Sequence, residues 1–342
     1  MRIDKKDLLQ FVKHAFPQRI IDLSVEKLGG DASDRNYYRL HVQGQGNDLP
    51  KTMVVMELQE PFPSGELPFI DILHTLEESG LGVPRLYAAE SRLGLVLLED
   101  LGDEILEKKI QGEQPDVIRS FYKEAIDLIV RMQCDLEASS GCVAFRTAFT
   151  VEKFIWELDF FRTHYIERLL QKKIDLRDRQ SMDYLFFWLS SLMDGEEKIL
   201  THRDYHSRNL ICHEGKLKIL DFQDARMGPA QYDVVSLLRD SYVVLEDTLR
   251  ESLIEYYLSQ WEARTRKRSD RSRFRYIFDM TSVQRNLKAI GTFAYQAVER
   301  RNPRYLKYIP DTLRYVQENL FRYDELSPYQ ETLARYLPFQ RA

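Results

Sequence analysis

Thr201-His202-Arg203-Asp204-Tyr205-His206-Ser207-Arg208-Asn209, followed by Leu217-Lys218-Ile219-Leu220-Asp221-Phe222, is the stretch that decides how this chain folds and what chemistry it carries. An alcohol is a poor nucleophile until a carboxylate orients its hydroxyl and takes the proton as the bond to phosphorus forms, and Asp204 has the position of that base. A divalent ion that bridges phosphates prefers oxygen ligands, which an amide at Asn209 and a carboxylate at Asp221 supply. Leu210-Ile211-Cys212 and Leu217-Lys218-Ile219-Leu220 are apolar runs around the turn His213-Glu214-Gly215-Lys216. They read as a β-hairpin that carries Asn209 to Asp221.

His202-Arg203-Asp204 with Asn209 fits the catalytic-loop pattern H-R-D-x-x-x-x-N of kinases, so the implied chemistry is phosphoryl transfer. The rest of the chain allows it. At 342 residues there is room for a large core and two lobes, and a make-up of 44% hydrophobic and 30% charged residues is globular. The formal charge of −5 gives no field that would draw nucleic acid or anionic lipid, which leaves a small molecule as the expected partner. Cys134, Cys142 and Cys212 are too few and too irregularly spaced for a disulfide framework or a zinc site, and read as reduced, buried thiols. The N-terminal Met1-Arg2-Ile3-Asp4-Lys5-Lys6-Asp7 alternates charges where a signal peptide needs an apolar core. No later apolar run approaches the roughly 20 residues of a membrane span, so a cytoplasmic protein without membrane attachment is expected.

Residues 1–98 alternate short extended runs with turns: Asp22 to Leu28, Tyr37 to Val42, Thr52 to Leu58, Arg85 to Ala89 and Leu95 to Leu98. Phe69 to Gly80 places apolar residues at helical spacing and ends on a glycine suited to a C-cap. The expected fold class is therefore α+β and bilobal, protein-kinase-like. It has a small antiparallel β-sheet N-lobe with one helix (1–98), a hinge (99–103) and a larger, mainly helical C-lobe (104–342). The helical patterns of that lobe fall at about 115–135, 150–170, 178–193, 246–263, 273–300 and 303–321. In such a fold the nucleotide lies between the lobes, with the backbone of Leu97 to Leu101, Glu99 and Leu101 foremost, meeting the adenine. The basic stretch Arg264 to Arg273 lacks aromatic interleaving and reads as a solvated connection between helices.

Gly29-Gly30-Asp31-Ala32-Ser33-Asp34-Arg35-Asn36-Tyr37-Tyr38-Arg39 sits between the first two strands, where a kinase-type sheet folds over the triphosphate. It lacks G-x-G-x-x-G spacing. The Ser33 hydroxyl and small residues still offer donors, and Arg35 or Arg39 adds positive charge; the alternative is a plain hairpin turn with its arginines in solvent. In the third strand, Met56 stands where a conventional kinase places its phosphate-binding lysine, so the charge falls to Arg35, Arg39 or Lys51.

Together these residues resemble the aminoglycoside/choline-type phosphotransferase superfamily, and within it the bacterial kinases that phosphorylate the anomeric hydroxyl of N-acetylmuramate and N-acetylglucosamine. The resemblance rests on Gly30-Asp31-Ala32-Ser33 with Arg35 and Tyr38-Arg39, on His202 to Asn209, and on Leu220-Asp221-Phe222-Gln223-Asp224-Ala225 with Gly228-Pro229. It rests also on Tyr232 to Asp240 and on Gln284 to Gly291. It implies a kinase-like fold, ATP with Mg as the donor system, Asp204 as base, and Asn209 and Asp221 as metal ligands. It also implies that the strand lysine can be absent. Gln223 replaces the glycine of D-F-G, which points to a metal loop without the flip of regulated protein kinases. Asp233 precedes an apolar helical run, where it either caps that helix or braces the catalytic loop through Arg203. Asp224 reaches the metal or the sugar, or pairs with Arg226 or Arg208.

On the helix at 273–300, Arg285 and Lys288 share a face with Thr292 and form a candidate acceptor wall. Arginine pairs bidentately with carboxylates, so Arg285 is placed to read the lactyl acid of N-acetylmuramate; ion pairing within the protein is the competing role. The sequence shows no carboxylate cluster of the kind a polycationic aminoglycoside needs. Three readings follow: an anomeric amino-sugar kinase, a kinase of another small alcohol (aminoglycoside, choline or other sugar), and a non-catalytic nucleotide-binding regulator.

Overall fold

The computed structural model describes residues 3–17, 19–29, 35–46, 49–63, 67–136 and 141–339. From the N-terminus come α1 (Lys5–Ala15), β1 (Ile20–Lys27), β2 (Asn36–Gly44), β3 (Thr52–Glu57), α2 (Pro68–Glu78), β4 (Leu86–Glu90) and β5 (Leu95–Glu99). Then follow α3 (Leu106–Lys109), α4 (Pro115–Cys134), α5 (Val151–Phe161), α6 (Leu176–Asp194), β6 (Lys198–Thr201), β7 (Leu210–His213), β8 (Lys216–Ile219) and β9 (Arg226–Pro229). The chain ends with α7 (Gln231–Leu238), α8 (Asp247–Thr265), α9 (Arg271–Val298), α10 (Ile309–Arg322) and α11 (Ser327–Ala334). These elements pack into two compact units that are not continuous in sequence: Met1–Glu104 with Ile211–Gln223, and Ile105–Leu210 with Asp224–Ala342.

The first unit is an antiparallel sheet in the order β1-β2-β3-β5-β4. Each expected strand is present, with ends shifted by no more than two residues. Leu40, Met53, Val55, Leu95 and Leu97 alternate onto one face and bury against Leu8, Phe11 and Val12 of α1. This unit therefore carries two helices where one was expected. The repeat of α1 is only three apolar anchors long, opened by Asp4, whose carboxylate accepts the Asp7 N–H at 2.8 Å; tertiary burial makes the helix. The β7–β8 hairpin turns through Glu214 (φ 49°) and Gly215 (φ 76°), a two-residue turn matched to strand twist. It joins this unit through Ile219 N–H to the Gly82 carbonyl (2.7 Å) and Cys212 N–H to the Glu104 carbonyl (2.8 Å).

In the second unit, α5, α6, α9 and α10 share one core that includes Leu158, Phe161, Leu185, Leu287, Ile290 and Val316. The pattern expected as one helix over 150–170 is α5 followed by a π-helical stretch, Arg162–Leu169. Gly291 of α9 lies against the α5 backbone: a Cβ there would sit 2.6 Å from the Phe161 Cα. That close approach sets which side chains of the two helices meet. The short β6–β9 pair, with Thr201 opposite Arg226, leads into the catalytic-loop sequence.

Cys142 is buried, whereas Cys134 and Cys212 are only partly so. In the basic stretch, Arg264 pairs with Asp135, Arg271 with Glu255 and Glu262, and Arg273 with Glu196. Among the described residues no helix is long and apolar enough to cross a membrane.

Candidate active site

Residues 202–209 form an irregular loop after β6, and two buried aspartates pin its ends. Asp233, on α7, accepts the His202 N–H at 2.6 Å and the Arg203 N–H at 3.0 Å. Asp240, just after α7, accepts the Ser207 N–H at 2.9 Å and the Ser207 hydroxyl at 2.6 Å. Asp233 thus holds the loop through backbone N–H groups. Burial pushes its carboxyl up to about 6, against the opposite pull of His202 and the two N–H bonds. Within the loop, Arg203 takes a left-handed φ of 81°, a strained conformation for a long side chain. The Asn209 amide donates to the Asp204 carbonyl at 2.9 Å, tying the two residues together.

Lys288 of α9 donates to the Asp204 carboxylate at 3.0 Å and lies 3.8 Å from Glu157 of α5. Glu157 is almost completely buried; it also accepts from Gln284 at 3.0 Å and from Arg203 at 3.5 Å. Arg203 continues to Asp224 at 3.3 Å, and Arg226 stands 3.5 Å from the same carboxylate. Burial opposes ionisation of Asp204, but Lys288, Arg203 and Arg285 outweigh it and hold the carboxyl well below the usual carboxylate range. Burial, followed by the charge of Arg285, pushes His206 down to about 3, so its ring is neutral at neutral pH. Glu157 is the member of this network that the sequence reading does not assign. Its signal is an acid on the core-facing side of α5, between Phe154 and Phe161, where helical periodicity calls for an apolar residue.

Asp204, His206, Tyr242, Arg285, Lys288 and Thr292 line one pocket of the second unit. Arg285 is buried and donates to the Ser236 hydroxyl. The pocket wall from α9 is cationic; Asp240 also borders it, but its oxygens accept from Ser207 and from the Tyr242 N–H.

In the first unit, Asp221 follows β8 with a left-handed φ of 60° and an exposed carboxylate that accepts from Gln223 at 2.7 Å. Phe222 is buried and stacks on Phe69 of α2, ring centroids 4.9 Å apart, which anchors the segment. Arg35 lies over the Phe69 ring at 5.9 Å. Arg39 grips Asp100 with two nitrogens (2.7 and 3.0 Å) and Asp103 with two contacts (2.8 and 3.0 Å). Its fork is thereby engaged by two carboxylates of the 99–103 segment. Glu99 accepts from Lys218 at 2.7 Å, its N–H donates to the Arg85 carbonyl, and the Leu101 carbonyl contacts His213 at 3.2 Å. Met56 is fully buried on β3. Ser33 lies outside the described residues.

Asn209 and Asp221 offer oxygen donors of the type Mg takes, one amide and one carboxylate. Asp204, pocketed beside cations, is suited to orient a hydroxyl.

The model of the Phosphotransferase enzyme family matches residues 24–268. The N-acetylmuramate/N-acetylglucosamine kinase of Pseudomonas putida is 29% identical over 93% of this chain and 90% of its own length. The protein of the same name from Pseudomonas aeruginosa is 30% identical over 89% of this chain and 86% of its own. Among solved structures, the choline kinase of Cryptosporidium parvum aligns with a TM-score of 0.61 at 11% identity, covering 92% of this chain and 95% of that one, a likeness of fold. With more than half of its length matched by the family model and a loop arranged around one ionised aspartate, this chain belongs to the phosphotransferase enzyme family.

Proposed function

We propose that this phosphotransferase moves the γ-phosphoryl of ATP, with Mg, onto the anomeric hydroxyl of N-acetylmuramate or N-acetylglucosamine, in the cytoplasmic recycling of cell-wall sugars. The observation that carries the reading is the cationic pocket around Asp204, in a chain alike over nearly its whole length to kinases named for these two sugars. A polycationic aminoglycoside would meet Arg285 and Lys288 where it needs carboxylates. A neutral or anionic sugar meets no such repulsion.

In this reading Asp204 orients the acceptor hydroxyl and receives its proton as the bond to phosphorus forms. Its depressed pKa suits the loose transition state of phosphoryl transfer, in which positioning contributes more than early proton removal. Asn209 and Asp221 would hold Mg, which when bound neutralises phosphate charge. Arg35 supplies phosphate-side charge in place of the lysine missing at Met56, with Ser33 as a further donor. Arg39 is assigned to holding Asp100 and Asp103 in the segment whose backbone, at Glu99 and Leu101, receives the adenine. Arg285 and Lys288 face the acceptor, with Arg285 reading the lactyl carboxylate. Asp233 and Arg203 keep the loop in place, and Asp224 partners Arg203.

The test is an acceptor panel with Mg ATP: N-acetylmuramate, N-acetylglucosamine, plain hexoses, choline and an aminoglycoside, each followed by ADP release. Turnover confined to the two amino sugars is expected. Faster turnover of choline or the aminoglycoside would replace this reading by that of a kinase for another small alcohol.

A further inference from the structure

Beyond Lys288, the α9 wall of the Asp204 pocket runs into aromatic side chains outside the charge network. Lys288, Thr292 and Tyr295 follow one another at four- and three-residue spacing on one face of α9, and Lys288 and Thr292 line the pocket. The Tyr295 ring centroid is 5.4 Å from that of Phe160, which is 5.7 Å from that of Trp156, both on α5. Trp156 is 54% exposed. Two further observations tie its turn of α5 to the charges around Asp204. Its neighbour in sequence, Glu157, reaches Lys288, and the ammonium of Lys153 lies 4.0 Å from the Trp156 ring centroid. Burial first, and then the charges of Arg203, Arg226 and Lys288, draw the Lys153 pKa down against the pull of Glu157, and Arg203 and Lys288 act on Asp204 as well.

A lone exposed tryptophan needs no explanation, but a row of three rings that starts three residues beyond the pocket-lining Thr292 does. We infer that Trp156, Phe160 and Tyr295 form a stacking ledge for the C–H face of the acceptor's pyranose ring while the reacting hydroxyl lies at Asp204. A pyranose presents C–H bonds to the electron-rich face of an aromatic ring, and tryptophan offers the largest such face with few rotors to immobilise. Along α9, Tyr295 lies about 10 Å from Lys288, the scale of one substituted sugar ring. A quaternary ammonium would also favour aromatic faces, but Lys153 and Lys288 beside this row oppose a cation. The ledge rests on the amino-sugar reading and adds the side of the sugar that the protein grips.

The experiment compares the unaltered protein with Trp156→Ala and Trp156→Phe. Acceptor KM should rise about tenfold in Trp156→Ala, with kcat and the ATP KM within about twofold, and Trp156→Phe should recover most of the loss. An unchanged acceptor KM in Trp156→Ala overturns the ledge. If the unaltered protein phosphorylates no amino sugar, saturation-transfer NMR with N-acetylglucosamine separates the two ideas. Binding that is lost in Trp156→Ala keeps the ledge and overturns the reaction; binding that persists in Trp156→Ala, or no binding to the unaltered protein, overturns the ledge. An unchanged melting temperature and ATP KM verify that Trp156→Ala is folded.

Discussion

The loop at 202–209 and the segment at 221–223 both contribute to the signature, yet they are held in opposite ways. The loop is locked by buried acids: Asp233 and Asp240 take its backbone N–H groups, and Glu157 ties Arg203 to Lys288 beside Asp204. Asp221 is exposed and rests on a local hydrogen bond from Gln223 and the anchored ring of Phe222. The difference matches what each carboxylate is proposed to do. A base must hold one charge state and one direction before substrate arrives, whereas a ligand for Mg can be completed by the ion, water and phosphate.

The largest break in this contrast is Asp204→Asn. Its kcat should fall about 10³-fold with the ATP KM nearly unchanged, measured by steady-state ADP release and by nucleotide titration. Asp233→Ala comes next. It leaves two N–H groups at the start of the loop without their acceptor and should destabilise the fold by about 2 kcal/mol, read from denaturant unfolding. The matching change in the other region, Gln223→Ala, should shift stability by no more than about 0.5 kcal/mol, because its bond is local and exposed.

Lys288→Met sharpens the electrostatic half of the comparison. The folded pKa of Asp204 is depressed, so its ionised form is kept above the ordinary carboxylate value and lost only as pH falls through the lower, folded one. Removing Lys288 should move the acid limb of kcat/KM up toward the ordinary aspartate value of about 4, read from a pH profile. Asp233 behaves in the reverse sense. Its folded pKa is raised, so its contribution to stability is fullest below the ordinary aspartate value and declines as pH rises toward about 6. The most selective effect belongs to Arg285→Ala, which should slow N-acetylmuramate more than N-acetylglucosamine, by a factor of about ten in relative kcat/KM. Equal losses would remove Arg285 as the reader of the lactyl acid.

What could be read from the chain and what could not divide along the same line. The β7–β8 hairpin, the five strands and the long helices are local patterns, visible as alternation, helical spacing and turn residues such as Glu214-Gly215. The spacing of Asp204, Asn209 and Asp221 is local as well. The partners of those residues are not. Glu157 meets Lys288 because Gly291 lets α5 and α9 approach closely, and no short-range pattern encodes that encounter. Arg39 has the position of a phosphate ligand in sequence, but its fork is engaged by Asp100 and Asp103, more than sixty residues away. Helix α1 escapes detection because three apolar anchors are too few until a sheet lies beneath them.

The most direct measurement is the proton-coupled phosphorus spectrum of the product formed from N-acetylmuramate and Mg ATP. A phosphate on the anomeric oxygen couples to the single H1 and gives a doublet whose splitting reappears on the H1 signal, which is the predicted result. A triplet from two H6 protons would place the phosphate on the primary alcohol and contradict the proposed reaction at Asp204.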